Sequence, residues 1–227
     1  VGIEFSHCNA MPEGSRNDTY QSDTTELVIS GRKFQILLPK DLTGFINPDD
    51  VFHEFPLWAK IWQASWVLAG YLADMAAAAE KSWLEIGAGV GLVSIVAASF
   101  GHRITMTEFN PDALQFAHAN AVINGCPRLP IRRLDWNRPR LAEVFDYIVA
   151  SEVTYKKEHV TSLVRLFKSY LKPGGMVYLA GEMRRVSRDF YQQLEADFDI
   201  RVQKKILRSA GEETAVFLFQ MTAKAPG

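Results

Sequence analysis

Trp83-Leu84-Glu85-Ile86-Gly87-Ala88-Gly89-Val90-Gly91-Leu92 reads as a short apolar strand that ends in an acid and opens into glycines. An apolar helical run from Leu92 to Phe100 follows. Glycines at a strand-to-helix turn let a ligand lie against bare backbone, and the helix start offers unpaired N–H groups. The segment therefore predicts a nucleotide-like cofactor lying across the carboxyl end of a parallel sheet.

The spacing of the glycines selects among cofactors. The dinucleotide fingerprint is G-x-G-x-x-G, whereas Gly87, Gly89 and Gly91 run G-x-G-x-G and Leu92 stands where the last glycine of that fingerprint belongs. Glu85, two residues ahead of Gly87, suits a ligand with an ammonium group and repels a pyrophosphate. S-adenosylmethionine carries an α-amino group and no phosphate, so it fits better, with the loop Gly87, Ala88, Gly89 and Gly91 as its cradle. A bare tight turn is the alternative for any glycine-rich stretch; what lies downstream weighs against it.

Arg103 to Thr107 reads as a second strand ending at Glu108. That acid stands about twenty residues past the first glycine, where a carboxylate would hold ribose hydroxyls. Asn110-Pro111-Asp112 is a helix start, with Asn110 as N-cap, and the helix Asp112 to Asn124 stops at Gly125. A third strand, Leu129 to Leu134, ends in Asp135-Trp136, and a fourth, Phe145 to Ala150, ends in Ser151-Glu152. Acids at strand ends often cap the next helix; a succession of them at Glu108, Asp135 and Glu152 reads as a site under construction at the ligand end of an open sheet.

The C-terminal part decides the fold class. Met176 to Gly181 is a fifth strand after a turn at Lys172-Pro173-Gly174-Gly175. Ser187 to Phe198 reads as a helix with Phe190, Leu194 and Phe198 on one side. Ile200 to Leu207 and Thr214 to Met221 are strands with no room for a helix between them, so they pair antiparallel. A parallel sheet finished by an antiparallel hairpin marks an α/β class I methyltransferase fold: a Rossmann-like three-layer sandwich with a seven-stranded, mostly parallel sheet.

Ahead of the sheet, Thr25 to Ser30 and Lys33 to Leu38 read as a hairpin split by Gly31-Arg32. A long helix is expected through Leu68, Leu72 and Met75 to Ala79. Trp58, Trp62 and Trp66 share one of its faces if it starts that early. Trp58 and Trp66 read as core, whereas Trp62 is placed beside the glycine turn, against adenosine or the methionine chain. Asp135-Trp136 offers an acceptor for an adenine amino group and an indole to cover the ring.

Composition bounds the rest. The 227 residues suit one α/β domain with an N-terminal extension, and 48% hydrophobic content is enough for its core. A net charge of −1 argues against a general nucleic-acid binder. Arginines cluster at Arg128, Arg132, Arg133, Arg138 and Arg140, and again at Arg184, Arg185 and Arg188; they read as solvated faces, with an acidic partner as the alternative. Cys8 and Cys126 are too far apart for a zinc site, the five histidines show no metal-ligand spacing, and no metal is expected. No run reaches transmembrane length. A reducing, cytoplasmic setting is the expectation. Met11 is expected as the natural start, with Val1 to Ala10 as added residues.

Taken together, L-W-x-x-x-W ending at Trp62, Leu84 to Leu92, Glu108, Asp135-Trp136 and Ser151-Glu152-Val153-Thr154-Tyr155 resemble methyltransferase-like family 16, the seven-β-strand protein lysine methyltransferases. The likeness covers roughly Leu57 to Leu171. It implies cofactor contacts at Trp62, Glu85, Gly87, Gly89, Glu108, Asp135, Trp136 and Ser151. Glu152 and Tyr155 would face the acceptor as the catalytic pair. The family pattern at the fourth strand is D-x-x-Y; here Glu152 reaches one methylene further, which bears on the substrate more than on the reaction. The expected layout is a tail to residue 22, disordered or foreign, a hairpin and connector over 23–56, and a methyltransferase domain over 57–224. The acceptor is a protein lysine or, alternatively, a small amine or ring nitrogen, as in nicotinamide N-methyltransferase-like members. A non-catalytic cofactor-binding module is the remaining alternative. Asp41 to Phe55 would serve as a lid for a small acceptor, while Asp49, Asp50 and Glu54 would line a groove for a protein.

Overall fold

The computed structural model describes residues 21–46, 55–153, 157–182, 188–209 and 212–224. Strands β1 (Ser22–Ile29) and β2 (Arg32–Pro39) form an antiparallel hairpin. Its two-residue turn, Ser30-Gly31, has φ of 45° and 78°, the doubly positive shape that matches strand twist. The elements that follow are α1 (Gln63–Asp74), β3 (Ser82–Ile86), α2 (Leu92–Ser99), β4 (Arg103–Glu108) and α3 (Pro111–Ile123). After them come β5 (Ile131–Arg133), β6 (Phe145–Ser151), α4 (Lys157–Tyr170), β7 (Leu171–Glu182), α5 (Arg188–Asp197), β8 (Phe198–Ser209) and β9 (Glu212–Ala223).

β3 to β9 form a seven-stranded sheet in the order β5-β4-β3-β6-β7-β9-β8. β5, β4, β3, β6 and β7 run parallel. β9 is antiparallel to both β7 and β8. The class I methyltransferase architecture expected from the glycine segment and the terminal hairpin is therefore the one observed. Strand alternation divides the core in two. Trp83 and Val149 face a layer made by α1, α2 and α3, while Leu84, Ile86, Ile148 and Ala150 face α4 and α5. On α4, Val160, Leu163, Val164 and Phe167 are buried at the spacing of one helical face. In the same layer Phe190 and Leu194 of α5 pack with Phe198.

Three elements differ from the sequence expectation. α1 is shorter at both ends, spanning Gln63–Asp74. Trp58 lies in a separate 3₁₀ turn, Leu57–Ala59, with Lys60 extended behind it, so the three tryptophans do not share a helical face. Trp58 instead packs at 5.1 Å from the Phe45 ring and 5.7 Å from Phe116. At the other end the chain must return to start β3, and that demand overrides the helix propensity of Ala76 to Ala79. β5 shrinks to Ile131–Arg133, an edge strand paired on one side only. The Lys172–Gly175 turn is absorbed into β7 as an irregularity: Phe145 pairs Leu171, but Tyr147 pairs Met176. A Cβ at Gly175 would lie 2.6 Å from the Asp146 carbonyl oxygen, so only glycine lets the strand regain its register there.

Candidate active site

β4 and β5 lie to one side of β3 and β6 to the other, so the strand order reverses between β3 and β6. Ligands bind outside the carboxyl ends of strands at such a point. A cleft of about 250 Å³ opens there, walled by the loop after β3, the ends of β4 and β6, and the aromatic rings of Trp58, Trp62 and Trp136.

The glycine loop forms its floor. Gly87 and Gly89 have φ of 64° and 56°, a region that side chains other than glycine rarely adopt. A Cβ on Gly87 would lie 2.8 Å from Val153 Cγ1 and 3.2 Å from the Trp136 ring, and one on Gly89 would lie 3.2 Å from the Trp58 carbonyl oxygen. The loop is tied to β4: Ala88 N–H donates to the Thr107 carbonyl at 3.0 Å, and Gly89 N–H to Glu108 Oε2 at 2.8 Å. Ala88 lines the cleft, but Gly91 does not. Gly91 has φ of 91° and leaves room for the Met106 side chain, whose Cε would be 2.7 Å from an added Cβ; it is a packing glycine that starts α2.

The strand-end acids take different roles. Glu108 lines the cleft, and its other oxygen accepts from the N–H groups of Phe109 at 2.6 Å and Asn110 at 2.9 Å. Glu85 is 1% exposed and lies outside the cleft lining. Its Oε2 accepts from Ser94 N–H at 3.0 Å and from the Ser94 hydroxyl. Glu85 thus caps the first turn of α2, which Gly91 cannot do because it has no side chain. Its second oxygen has no hydrogen-bond partner in the described structure. Burial pushes the carboxyl up to about 7 against the Ser94 hydrogen bonds, with the charge of Glu108 adding to the rise. Glu85 therefore stands behind the loop, where sequence reasoning placed it against the ligand. Asp135 is also outside the lining: its carboxylate accepts from Asn137 N–H at 2.8 Å in a local turn, while the adjacent Trp136 does line the cleft.

At the end of β6, Ser151 and Glu152 line the cleft. Glu152 is 4% exposed, sits at φ of 51°, and accepts from Glu182 N–H at 2.9 Å. Tyr155 lies outside the described residues. Trp62 lines the cleft, its indole N–H donating to the Leu57 carbonyl at 2.8 Å and Lys60 Nζ lying 4.7 Å from its ring centroid. Sequence reasoning passed over Phe109, Leu134 and Val153, which also line it. Phe109 directly follows a strand-end acid, and that adjacency is a usable signal.

A bare-backbone floor, aromatic walls and carboxylates at Glu108 and Glu152 fit an adenosine carrying a cationic methionine chain, and they oppose a pyrophosphate. Solved structures show the same fold at low identity. The ribosomal protein L11 methylase from Lactobacillus delbrueckii subsp. bulgaricus gives a TM-score of 0.57 at 19% identity, covering 73% of this chain and 81% of that one. An O-methyltransferase from Bacillus cereus in complex with SAH gives 0.52 at 15%, covering 72% and 83%. The fold and the cleft together define an S-adenosylmethionine-dependent class I methyltransferase. A lysine methyltransferase family model matches residues 56–197, and the chain belongs to that family. Relatives include the protein-lysine methyltransferase METTL21E of Mus musculus, 31% identical over 75% of this chain and 70% of that protein. The protein N-lysine methyltransferase METTL21A of Xenopus tropicalis is 29% identical over 63% and 69%.

Proposed function

We propose that this chain transfers a methyl group to a lysine side chain of a protein, with Glu152 receiving the incoming amine. S-adenosylmethionine supplies a methyl on a sulfonium, activated for direct displacement. The protein then has mainly to align the acceptor with the cofactor, which is catalysis by orientation. Free lysine has a pKa near ~10.4, so the amine must shed its proton in the cleft. Desolvation among Trp62, Trp136 and Val153 favours the neutral form. Glu152 supplies direction: its charge would draw the ammonium in and fix its approach, at the expense of holding the proton more tightly. Tyr155, three residues on, would hydrogen-bond the nitrogen. The observation that carries this reading is the placement of Glu152. A buried acid, in a backbone conformation unfavourable for glutamate and held by the Glu182 N–H, lines the cleft at the end of β6, beside the glycine loop.

Two experiments test it. With methyl-labelled cofactor and a cell lysate, label is expected in protein bands and on lysine; label confined to the small-molecule fraction overturns the proposed acceptor. Glu152→Gln keeps an oxygen for the Glu182 N–H and removes the charge. Turnover is expected to fall about 100-fold, with S-adenosylhomocysteine affinity within threefold of wild type. A variant that loses the cofactor first would show Glu152 to be part of the cofactor half instead.

A further inference from the structure

One buried side chain hydrogen-bonds both the N-terminal hairpin and the cofactor loop. Asn120 on α3 is fully buried. Its Oδ1 accepts from Leu37 N–H at 2.7 Å, and its Nδ2 donates to the Leu37 carbonyl at 3.2 Å and to the Val90 carbonyl at 3.0 Å. Both donor hydrogens are used, which leaves the amide one defined orientation. Val90 belongs to the loop whose other anchors, Thr107 and Glu108, both come from β4. Asn120 therefore supplies an anchor from α3 and fastens it to β2 at the same time.

A second amide repeats the strand contact without the loop contact. Asn124, at the C-cap of α3, accepts from Gln35 N–H at 2.9 Å and donates to the Gln35 carbonyl at 2.6 Å. Four residues of helix advance about 6 Å, and two residues of strand about 6.6 Å. The two amides thus match alternate outward-pointing peptides of β2 and stand in for a neighbouring strand. Asn124 also donates to the Asn120 carbonyl at 2.8 Å within α3, but it makes no hydrogen bond to the glycine loop among the described residues. The asymmetry between the two asparagines makes the role of Asn120 separable from hairpin attachment.

We propose that Asn120 is a positioning residue for the cofactor loop, making the N-terminal hairpin an energetic part of the S-adenosylmethionine site. The inference rests on the cofactor reading of the cleft and goes beyond it by giving the hairpin a part in binding. Order in β2 and order in the loop share one amide, so each stabilises the other, and by linkage cofactor binding must steady the hairpin.

Calorimetry with S-adenosylhomocysteine and hydrogen exchange on the full chain test this. Asn120→Asp keeps the acceptor for Leu37 N–H but turns an oxygen toward both the Leu37 and the Val90 carbonyls; a dissociation constant raised about tenfold is expected, with acceptor KM unchanged. Asn124→Ala is expected to lower the unfolding midpoint and leave the dissociation constant within twofold. A folded Asn120→Asp protein that binds like wild type overturns the proposal, as does an Asn124→Ala protein that loses as much affinity. Exchange on the wild type does not depend on any variant folding. Added S-adenosylhomocysteine is expected to slow exchange in β2, at Leu37 above all; slowing confined to the glycine loop overturns the inference. Failure of the wild type to bind S-adenosylhomocysteine would instead strike the cofactor reading itself.

Discussion

The two ends of the central sheet hold their carboxylates differently. At the amino end, Asp146 lies between two lysines, accepting from Lys81 at 3.2 Å and Lys172 at 2.7 Å as well as from the Ser82 N–H and hydroxyl. At the carboxyl end, Glu108 and Glu152 are held by main-chain N–H groups and Glu85 by the N–H and hydroxyl of Ser94. A carboxylate wedged between ammonium groups is neutralised on the spot. One held by amides is oriented by main-chain donors instead, with no ion pair to fasten it to a neighbouring strand. One end of the sheet is therefore fastened by ion pairs, and the other sets Glu108 and Glu152 in the lining of a cleft and buries Glu85 behind it, an arrangement suited to a cationic ligand and, at Glu85, unfavourable for stability.

The comparison breaks most sharply at Gly87. Gly87→Ala combines a left-handed backbone with a methyl 2.8 Å from Val153 and 3.2 Å from Trp136. An affinity loss of about 100-fold for S-adenosylhomocysteine is expected by calorimetry. Gly125→Ala is the matched control: φ is 74°, but nothing lies within 4 Å of the added Cβ. It should cost about 1 kcal/mol of stability and leave affinity alone. Equal effects at the two glycines would mean that the carboxyl end has no special claim on the ligand.

What the sequence disclosed follows the same division. Strand and helix types were legible because alternation and capping are local: Asn110 does accept from Asp112 and Ala113 N–H, and the two terminal strands pair antiparallel as expected. Gly87, Gly89, Glu108, Trp62, Trp136 and Glu152 were legible as cleft residues because strand ends and glycine turns fix where a chain leaves the sheet. The roles of Glu85 and Asp135 were not. Residue type shows that an acid ends a strand, but only packing decides whether it turns toward the ligand or back onto a helix N–H, as Glu85 does at Ser94. Trp58 misled for a related reason: a period of four needs a continuous helix, and the chain is extended at Lys60. Asn120 gave no local signal, since its partners are 83 and 30 residues away.

Glu85 sharpens the contrast through pH. Its carboxyl rises from 4.5 to about 7 on folding. Between those values the native state binds more protons than the unfolded chain, so stability falls as pH rises through the window and levels off above it. The difference is roughly 3 kcal/mol. Urea unfolding at pH 5 and pH 8 should show this decline in wild type and lose it in Glu85→Gln. Parallel behaviour of the two proteins would mean that Glu85 is not held as a desolvated acid, and the unfavourable carboxyl end would lose its clearest case.

Asp146 should give the opposite sign and a smaller effect. Burial alone would raise its pKa, but Lys172, the Ser82 N–H and hydroxyl, and Lys81 outweigh it and hold the carboxyl well below the usual carboxylate range. A depressed group contributes stability above its unfolded pKa, near ~3.9, and that contribution fades as pH falls toward the folded value. The lysine side chains are 41% and 37% exposed, so solvent screens the pairs, and Asp146→Asn is expected to cost about 1–2 kcal/mol at pH 7. The deficit should shrink as unfolding is followed from pH 4 downward. Affinity for S-adenosylhomocysteine should not move, because Asp146 lies a full strand length from the cleft. A change in affinity at neutral pH would mean that strain at the fastened end reaches the ligand end, and the two ends would have to be treated as one coupled unit.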